Sequence, residues 1–342
     1  MINIVTNEVV DGRASSPPPS SPATNTLEGR IRTSLSRIFG LRYGMVWVLL
    51  LTFVFARVIY TQFLDPQNLN NMVAQVTPTA IVAVGMTFAI ICGGFDLSAA
   101  AVFAGASVVY ASLSNSMPLW LAFLCTILVG VVCGVINGLA VTVLKVNSFI
   151  ATLATASLFS GATYWYSDSQ PVVSTKAGFE TLGTGKWGGI WVATWVLVVV
   201  VGVFGFILAR TVYGRSIYSV GGNLEASRLA GMRVNVVRTS TFAIVSMCAA
   251  LGGMIVASQT SVGQANIGPT VTLDAIAIVI IGGTALMGGE GAIWRTVVGI
   301  LLWGTINNVF SALALDTSKQ LLIQGAILLI AVSLDSLARS RR

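Results

Sequence analysis

The chain contains no histidine. That gap removes the side chain that most often moves protons near neutral pH, and with it the commonest metal ligand. Charge is scarce too: 9% of the 342 residues are Asp, Glu, Lys or Arg, against 55% hydrophobic, where soluble domains carry about 25% charged residues. The balance excludes a soluble composition, so rules relating length to domain number do not apply and one polytopic bundle is expected. Only four cysteines occur, Cys92, Cys125, Cys133 and Cys248. All lie in apolar stretches, where a free thiol behaves as a small hydrophobe, and their positions make neither a disulfide framework nor a zinc motif. A phosphate-cradling G-x-x-x-x-G-K-[ST] string is also missing, since Lys186 follows Gly185 but is succeeded by Trp187. No cofactor, metal or intrinsic ATPase activity is expected, and the shortage of acid–base groups argues against an enzyme.

What the chain has in quantity is apolar runs. About 20 residues cross about 30 Å of hydrocarbon, and ten such runs recur from Tyr43 onward, near 43–63, 72–92, 96–113, 118–144, 148–166, 190–209, 239–259, 273–289, 294–314 and 319–337. The fourth is long enough to be tilted or broken, and the third and eighth are short and rich in Gly and Ala. Alternation from a cytoplasmic N-terminus puts fifteen of the 19 basic residues inside and only Lys176, Lys186 and Lys319 outside; the last, Arg57, sits where a long side chain can reach the headgroups. By the positive-inside rule this predicts an all-α polytopic bundle of about ten spans, over 41–338, with both termini cytoplasmic. The net charge of +7 is scattered through short loops rather than gathered on one face, so no nucleic-acid partner is expected.

Residues 1–40 are polar, with the Ser/Pro/Thr cluster ASSPPPSSPATNT from Ala14 to Thr26. They predict a disordered cytoplasmic tail, with a polyproline-type ligand as the alternative. No 7–15-residue apolar run precedes Leu41, so a signal peptide is not expected. The largest outer loop, 167–189, is flanked by Trp165, Trp187 and Trp191 in the manner of interface anchors. It is either an ordinary external loop or a docking face, on which Asp65, Asp168, Glu180 and Asp316 stand against the three lysines.

One long polar interruption divides the second half of the chain. It is RTVYGRSIYSVGGNLEASRLAGMRVNVVR, Arg210 to Arg238, with five arginines against the single acid Glu225. Asn223 is placed to cap a short helix, Glu225 to occupy its first turn beside the positive dipole end, and Gly231 to close it about two turns later. Glu225-Ala226-Ser227 followed by Gly231 has the EAA-x-x-x-G spacing of the loop by which ABC importer permeases touch their ATPase, and GRSIYSVGGNLEASRLAG resembles that loop in ribose-type sugar permeases.

Three further stretches carry the same resemblance. GGFDLS, 93–98, resembles the family's GG-x-DLS segment, although Ala99-Ala100 stands where a Val-Gly pair is usual. Gly93 and Gly94 allow an unwound or closely packed backbone, and Asp96 and Ser98 either cap the next helix or line the pathway. GVVCGVING, 130–138, gives overlapping small-xxx-small steps for close helix packing, and Asn137 at membrane depth must face the bundle or a wet cavity. Lys145 to Thr155 resembles the KV-x-x-FIATL run. LDAIAIVIIGGTALMGGEG, 273–291, is the most specific string, with Asp274, Gly282, Gly283, Gly288 and Gly289 matching the family signature. Asp274 reads as a helix cap at the outer surface, and Glu290 occupies a site where Lys or Arg is usual. Two fragments echo each other, ICGGFDLS with IIGGTALM and GVINGLAV with GTINNVFS. The pairings Gly93 with Gly282 and Gly134 with Gly304 suggest a weak internal repeat, which would bring Asn137, Asn307 and Asn308 near one pathway.

The resemblance covers about 41–335 and implies the permease subunit of a bacterial ABC importer for a monosaccharide such as ribose, arabinose or xylose, in the inner membrane. It implies as partners an ATPase contacted through Gly222, Asn223, Glu225, Ala226, Ser227, Arg228 and Gly231, a periplasmic or lipid-anchored sugar-binding protein, and a second permease copy, identical or paralogous. An ion-coupled secondary transporter is the alternative; it would place ionisable groups deep in its spans, whereas Asp96, Asp274 and Glu290 fall near predicted span ends.

Overall fold

The computed structural model describes residues 44–340, with the side chains of 331, 332 and 334–340 left aside. The predicted tail, 1–40, lies outside the described residues. Helices fall over each of the ten predicted apolar runs, all but the 11-residue α11 being 16 residues or longer: α1 (Gly44–Ile59), α2 (Pro66–Ile91), α3 (Ala99–Ser116), α4 (Leu119–Thr142), α5 (Ser148–Tyr166), α7 (Val192–Arg210), α10 (Val234–Thr260), α11 (Val271–Ile281), α12 (Ile293–Ala312) and α13 (Thr317–Ser340). Short helices α6 (Thr181–Thr184), α8 (Val212–Gly222) and α9 (Leu224–Leu229) lie in the connections. By length and hydropathy α2, α3, α4, α7 and α10 qualify to cross a membrane, so the chain is all-α and polytopic.

Two helices form the interior. In the most apolar window of α2, 89% of residues are buried, against 22% in α4 and 28% in α7; α2 is therefore wrapped by protein, while α4 and α7 present apolar faces outward. Asp65 accepts from the Gln67 amide and Pro66 opens the helix, a start that uses an amide-free residue where no partner exists. The second interior helix, α10, packs against α2, α3 and α4 through small residues. On α4, a Cβ at Gly130 would lie 2.6 Å from the Ala250 Cβ, one at Gly138 would lie 2.6 Å from the Thr239 backbone, and one at Gly134 would strike the Phe242 carbonyl. The 130–138 glycine run is thus the α4–α10 seam, and α4 is one unbroken helix. On the α2 side, Gly252 of α10 approaches the Pro78 carbonyl and Gly85 of α2 approaches Cys248.

Chain ends of the helices sort into two groups. Loops 92–98, 143–147, 211–233 and 282–292 meet at one end of the bundle. At the other, β1 (Val172–Val173) pairs antiparallel with β4 (Val262–Gly263), and β2 (Lys186–Trp187) forms a hairpin with β3 (Ile190–Trp191). Gly188 and Gly189, at φ 60° and 80°, make the two-residue hairpin turn. The 167–189 loop is therefore built, with Phe179 buried and stacked on Tyr110 at 4.8 Å between ring centroids. Trp165 and Trp187 are exposed, whereas Trp191 is half-buried and donates to Asn71 at 3.2 Å.

Two expectations are corrected. The run 273–289 is not one helix: α11 stops at Ile281 and the glycine-rich 282–292 is a loop, because Gly282, Gly283, Gly288 and Gly289 favour turns over a helix interior. The two sequence echoes also do not form one repeat. The first is a shared helix ending: Gly93 and Gly94 donate to Ile90 and Ala89 just as Gly283 and Thr284 donate to Ile280 and Val279, with Gly93 at φ 78° and Gly283 at φ 83°. The equivalent of Gly93 is thus Gly283, not Gly282. The second echo pairs helices of opposite sense, since α4 ends at the 143–147 loop while α12 starts from the 282–292 loop on the same end of the bundle.

Candidate functional site

The polar loop 210–238 folds into α8, α9 and a closed turn. Thr211 starts α8 by accepting from the Gly214 amide at 3.1 Å, and Asn223 ends it while capping α9 through the Ala226 amide at 2.9 Å. Glu225 lies in the first turn of α9 and pairs with Arg228 at 3.3 Å; both are exposed, so the pair adds little stability. Met232 then donates to Ser227 and Gly231 to Arg228, with Gly231 at φ 79°. This is the double-bonded ending that glycine permits. Ser227 is buried against the bundle, whereas Glu225, Ala226, Arg228 and Leu229 face outward, Leu229 with 86% of its surface exposed.

Behind α9 lies a junction that no single motif announces. The Gly289 amide donates to the Ile91 carbonyl at 2.8 Å. A Cβ at Gly221 would strike that carbonyl, and one at Gly288 would lie 2.9 Å from the Gly221 carbonyl and 3.1 Å from Gly93. One at Gly289 would lie 2.9 Å from the Gly222 Cα. Tyr218 of α8 adds a bond from its hydroxyl to the Gly291 carbonyl at 2.8 Å; burial raises this phenol above its usual range, with Arg295 opposing, so it stays a donor. Three glycine motifs far apart in sequence, 93–94, 221–222 and 288–289, therefore meet backbone to backbone. On the same loop Arg295 donates to the Gly283 carbonyl at 3.0 Å, and Glu290 holds Ala285 through its carbonyl.

Deeper than the junction is a polar network about Asp96, which is fully buried. Its carboxylate accepts from the Ser98 amide at 2.9 Å, the Ser98 hydroxyl at 2.7 Å and the Asn137 amide at 3.3 and 3.4 Å. Asn137 also donates to the Ser98 oxygen at 2.7 Å and accepts from Thr155 at 2.6 Å, so both its nitrogen and its oxygen are partnered, as burial demands. Ser246 of α10 stands 3.5 Å from Asp96. The network ties the loop before α3 to α4, α5 and α10. Ser98 starts α3 without a side-chain cap bond, its hydroxyl being given to Asp96.

Asn307 and Asn308 lie elsewhere. Asn308 exchanges hydrogen bonds with Asn68 at 3.2 and 3.0 Å, and Asn307 accepts from Gln324 at 2.9 Å. Asn68 opens α2 whereas Asp96 follows its far end, so Asn137 and Asn308 sit at opposite ends of the 26-residue α2 and do not touch. Asp274 is not a cap; it lies in the first turn of α11 and accepts from Thr270 at 2.9 Å. Among the described residues no group of His, Cys, Asp or Glu could hold a metal ion. Sequence reasoning missed Gly221, Ile91, Ser246 and Asn68. Gly221 and Ile91 lay inside quoted motifs but were given no role, while Ser246 and Asn68 had no pattern to mark them.

Comparison with known proteins gives one family match and several long alignments. Residues 68–332 match the family described as branched-chain amino acid transport system / permease component. The chain is 37% identical over 293 residues to the ribose import permease protein RbsC of Haemophilus influenzae, covering 84% of this chain and 91% of that one. It is 37% identical to the Bacillus subtilis protein of the same name, over 82% and 88% of the two chains. It is 33% identical to the L-arabinose ABC transporter permease protein AraH of Azospirillum brasilense, over 88% and 89%. No solved structure matches it.

Proposed function

The chain belongs to the branched-chain amino acid transport system / permease component family, and we propose from that premise that it is the membrane-spanning permease of a bacterial ABC importer for a monosaccharide of the ribose or arabinose type. The family description speaks of amino acids, but the relatives that align over most of both chains are ribose and arabinose permeases, and the sugar reading follows them. The observation that carries the coupling role is α9: a capped helix with Glu225, Arg228 and Leu229 outward, raised on a glycine junction at one end of the bundle. Such a knob suits insertion into a groove of a separate ATPase.

The finer reading is ten crossings in the inner membrane with both termini cytoplasmic. The excess of basic residues on one side supports it, as does the meeting of the four loops expected on that side. An external sugar-binding protein and a second permease copy complete the assembly that the family implies. Gly93, Gly94, Asp96, Ser98 and Asn137 would stand at the inner end of the pathway, and Asn307 and Asn308 at the outer. Asp274 and the glycines Gly282, Gly283, Gly288 and Gly289 belong to the frame that carries motion from α9.

One observation favours a second reading, ion-coupled transport, because Asp96 is an ionisable group buried among neutral donors. Proteoliposomes separate the two. Uphill sugar uptake is expected only when the ATPase, ATP and the binding protein are supplied; uptake by the permease alone under a proton or sodium gradient would establish the secondary transporter instead.

A further inference from the structure

A cleft of about 590 Å³ opens beside α9, between the end of α4 and the starts of α5 and α10. Its lining includes Lys145, Asn147, Ser148, Arg228, Asn235 and Arg238, and no Asp or Glu. Arg228 has Glu225 as a partner outside the lining, but Lys145 and Arg238 have no acidic partner among the described residues. Arg238 is half-buried, where an uncompensated guanidinium is costly. Two long helices, α5 of 19 residues and α10 of 27, also start at this cleft. Each brings the positive end of its dipole, and no side chain caps α10. Val143, Leu144, Phe149 and Ile150, sequence neighbours of the lining residues Thr142, Lys145 and Ser148, are exposed and supply an apolar collar beside it.

We propose that this cleft binds a phosphate-bearing anion, with the phosphodiester of an anionic membrane lipid as the source that the apolar collar favours. The planar fork of Arg238 and the point charge of Lys145 suit phosphate oxygens, and basic pockets between membrane helices hold anionic headgroups in this way. A soluble phosphorylated solute offers the same chemistry without acyl chains. Because Leu224 and Arg228 of α9 form one wall and α4, α5 and α10 the others, the bound anion would tie the α9 knob to the helices of the Asp96 network. The site goes beyond the transport reading and needs no ATPase to be tested.

The purified full chain in mixed phosphatidylcholine and phosphatidylglycerol micelles, released for native mass spectrometry, should retain phosphatidylglycerol in preference. Lys145→Gln and Arg238→Gln should each weaken retention about tenfold, the effect of one lost charge-assisted contact. Arg238→Lys should keep most of it, and Arg215→Gln, on the exposed face of α8 outside the cleft, should keep all of it. A parallel titration in pure phosphatidylcholine nanodiscs with glycerol 3-phosphate, read by calorimetry, distinguishes the source: binding there that Lys145→Gln weakens assigns the site to soluble phosphate. Lys145 is exposed and its loss does not threaten folding. Equal lipid retention by Lys145→Gln and the parent, with no heat from glycerol 3-phosphate, would overturn the proposal.

Discussion

The amide of Gly289 is bonded to the carbonyl of Ile91 at 2.8 Å, and Gly221 covers that bond so closely that no side chain fits above it. Gly221→Ala should therefore force the junction open at a cost of about 1–3 kcal/mol, the range for overpacking. Uptake driven by the ATPase should fall steeply while membrane insertion persists. Gly161→Ala, on α5 where a Cβ meets nothing within 4 Å, should transport like the parent. Uptake assays on the two variants side by side check this; equal uptake by both would deny the junction any role.

Gly231 poses a different constraint. Nothing lies within 4 Å of its missing Cβ, but its φ is 79°, so Gly231→Val strains only the backbone, by about 1–3 kcal/mol. That strain unravels the end of α9 and leaves the bundle intact. Gly231→Val and Glu225→Lys are expected to abolish ATP-driven transport and reduce ATPase co-purification, with expression and thermal midpoint of the solubilised permease near those of the parent.

The Asp96 network makes a prediction about magnitudes. Asn137→Leu strips the carboxylate of a buried donor and takes from Thr155 its shorter acceptor, leaving it the Thr152 carbonyl at 3.2 Å, a loss of about 1–3 kcal/mol in all. Ser246→Ala removes a contact of 3.5 Å, at the limit of hydrogen-bond geometry, and should cost under about 1 kcal/mol. Combining Asn137→Leu with Asp96→Leu should restore part of the loss, giving a coupling energy of about 0.5–3 kcal/mol in a double-mutant cycle. Chemical denaturation in detergent measures all of these.

At the opposite end, Asp168 and Glu180 are exposed on the 167–189 loop. If a sugar-binding protein docks there by charge, replacing both with Lys should slow its association about tenfold at low salt. The difference should shrink as salt is raised toward physiological strength, where screening acts over about 8 Å. Surface plasmon resonance on the reconstituted permease reads both; a rate unaffected at low salt removes electrostatic docking.

The long apolar helices were legible because apolar length is a direct demand of a bilayer, and α9 was legible because Asn223, Glu225 and Gly231 obey local capping rules that need no tertiary context. The glycines of 130–138 announced a close seam, although not that α10 was the partner. What sequence could not supply was convergence. Nothing local says that Gly221 lies over Ile91, or that Asn137 meets Asp96 while Asn308 turns to Asn68, since the echo GVINGLAV with GTINNVFS matches residues on helices of opposite sense. The end of α11 at Ile281 was obscured because hydropathy counts Gly282 to Gly289 as apolar while their backbone preferences favour turns.

Helix α10 meets α2, α3 and α4 at close glycine contacts, and its Phe242, Met254 and Ile255 are buried as well. Such a shaft has little slack. Its 27 residues, Val234–Thr260, reach about 40 Å, starting beside α9 and carrying in the last turn Ser258, whose hydroxyl donates to the Phe179 carbonyl at 2.6 Å and accepts from the Gly183 amide at 2.8 Å. One rod thus has the α9 knob at one end and the 167–189 loop hydrogen-bonded to the other. A push of an ångström on one would be felt as nearly an ångström at the other, so a ligand settling on the outer loop and a nucleotide cycle beneath α9 would be acting on opposite ends of the same lever.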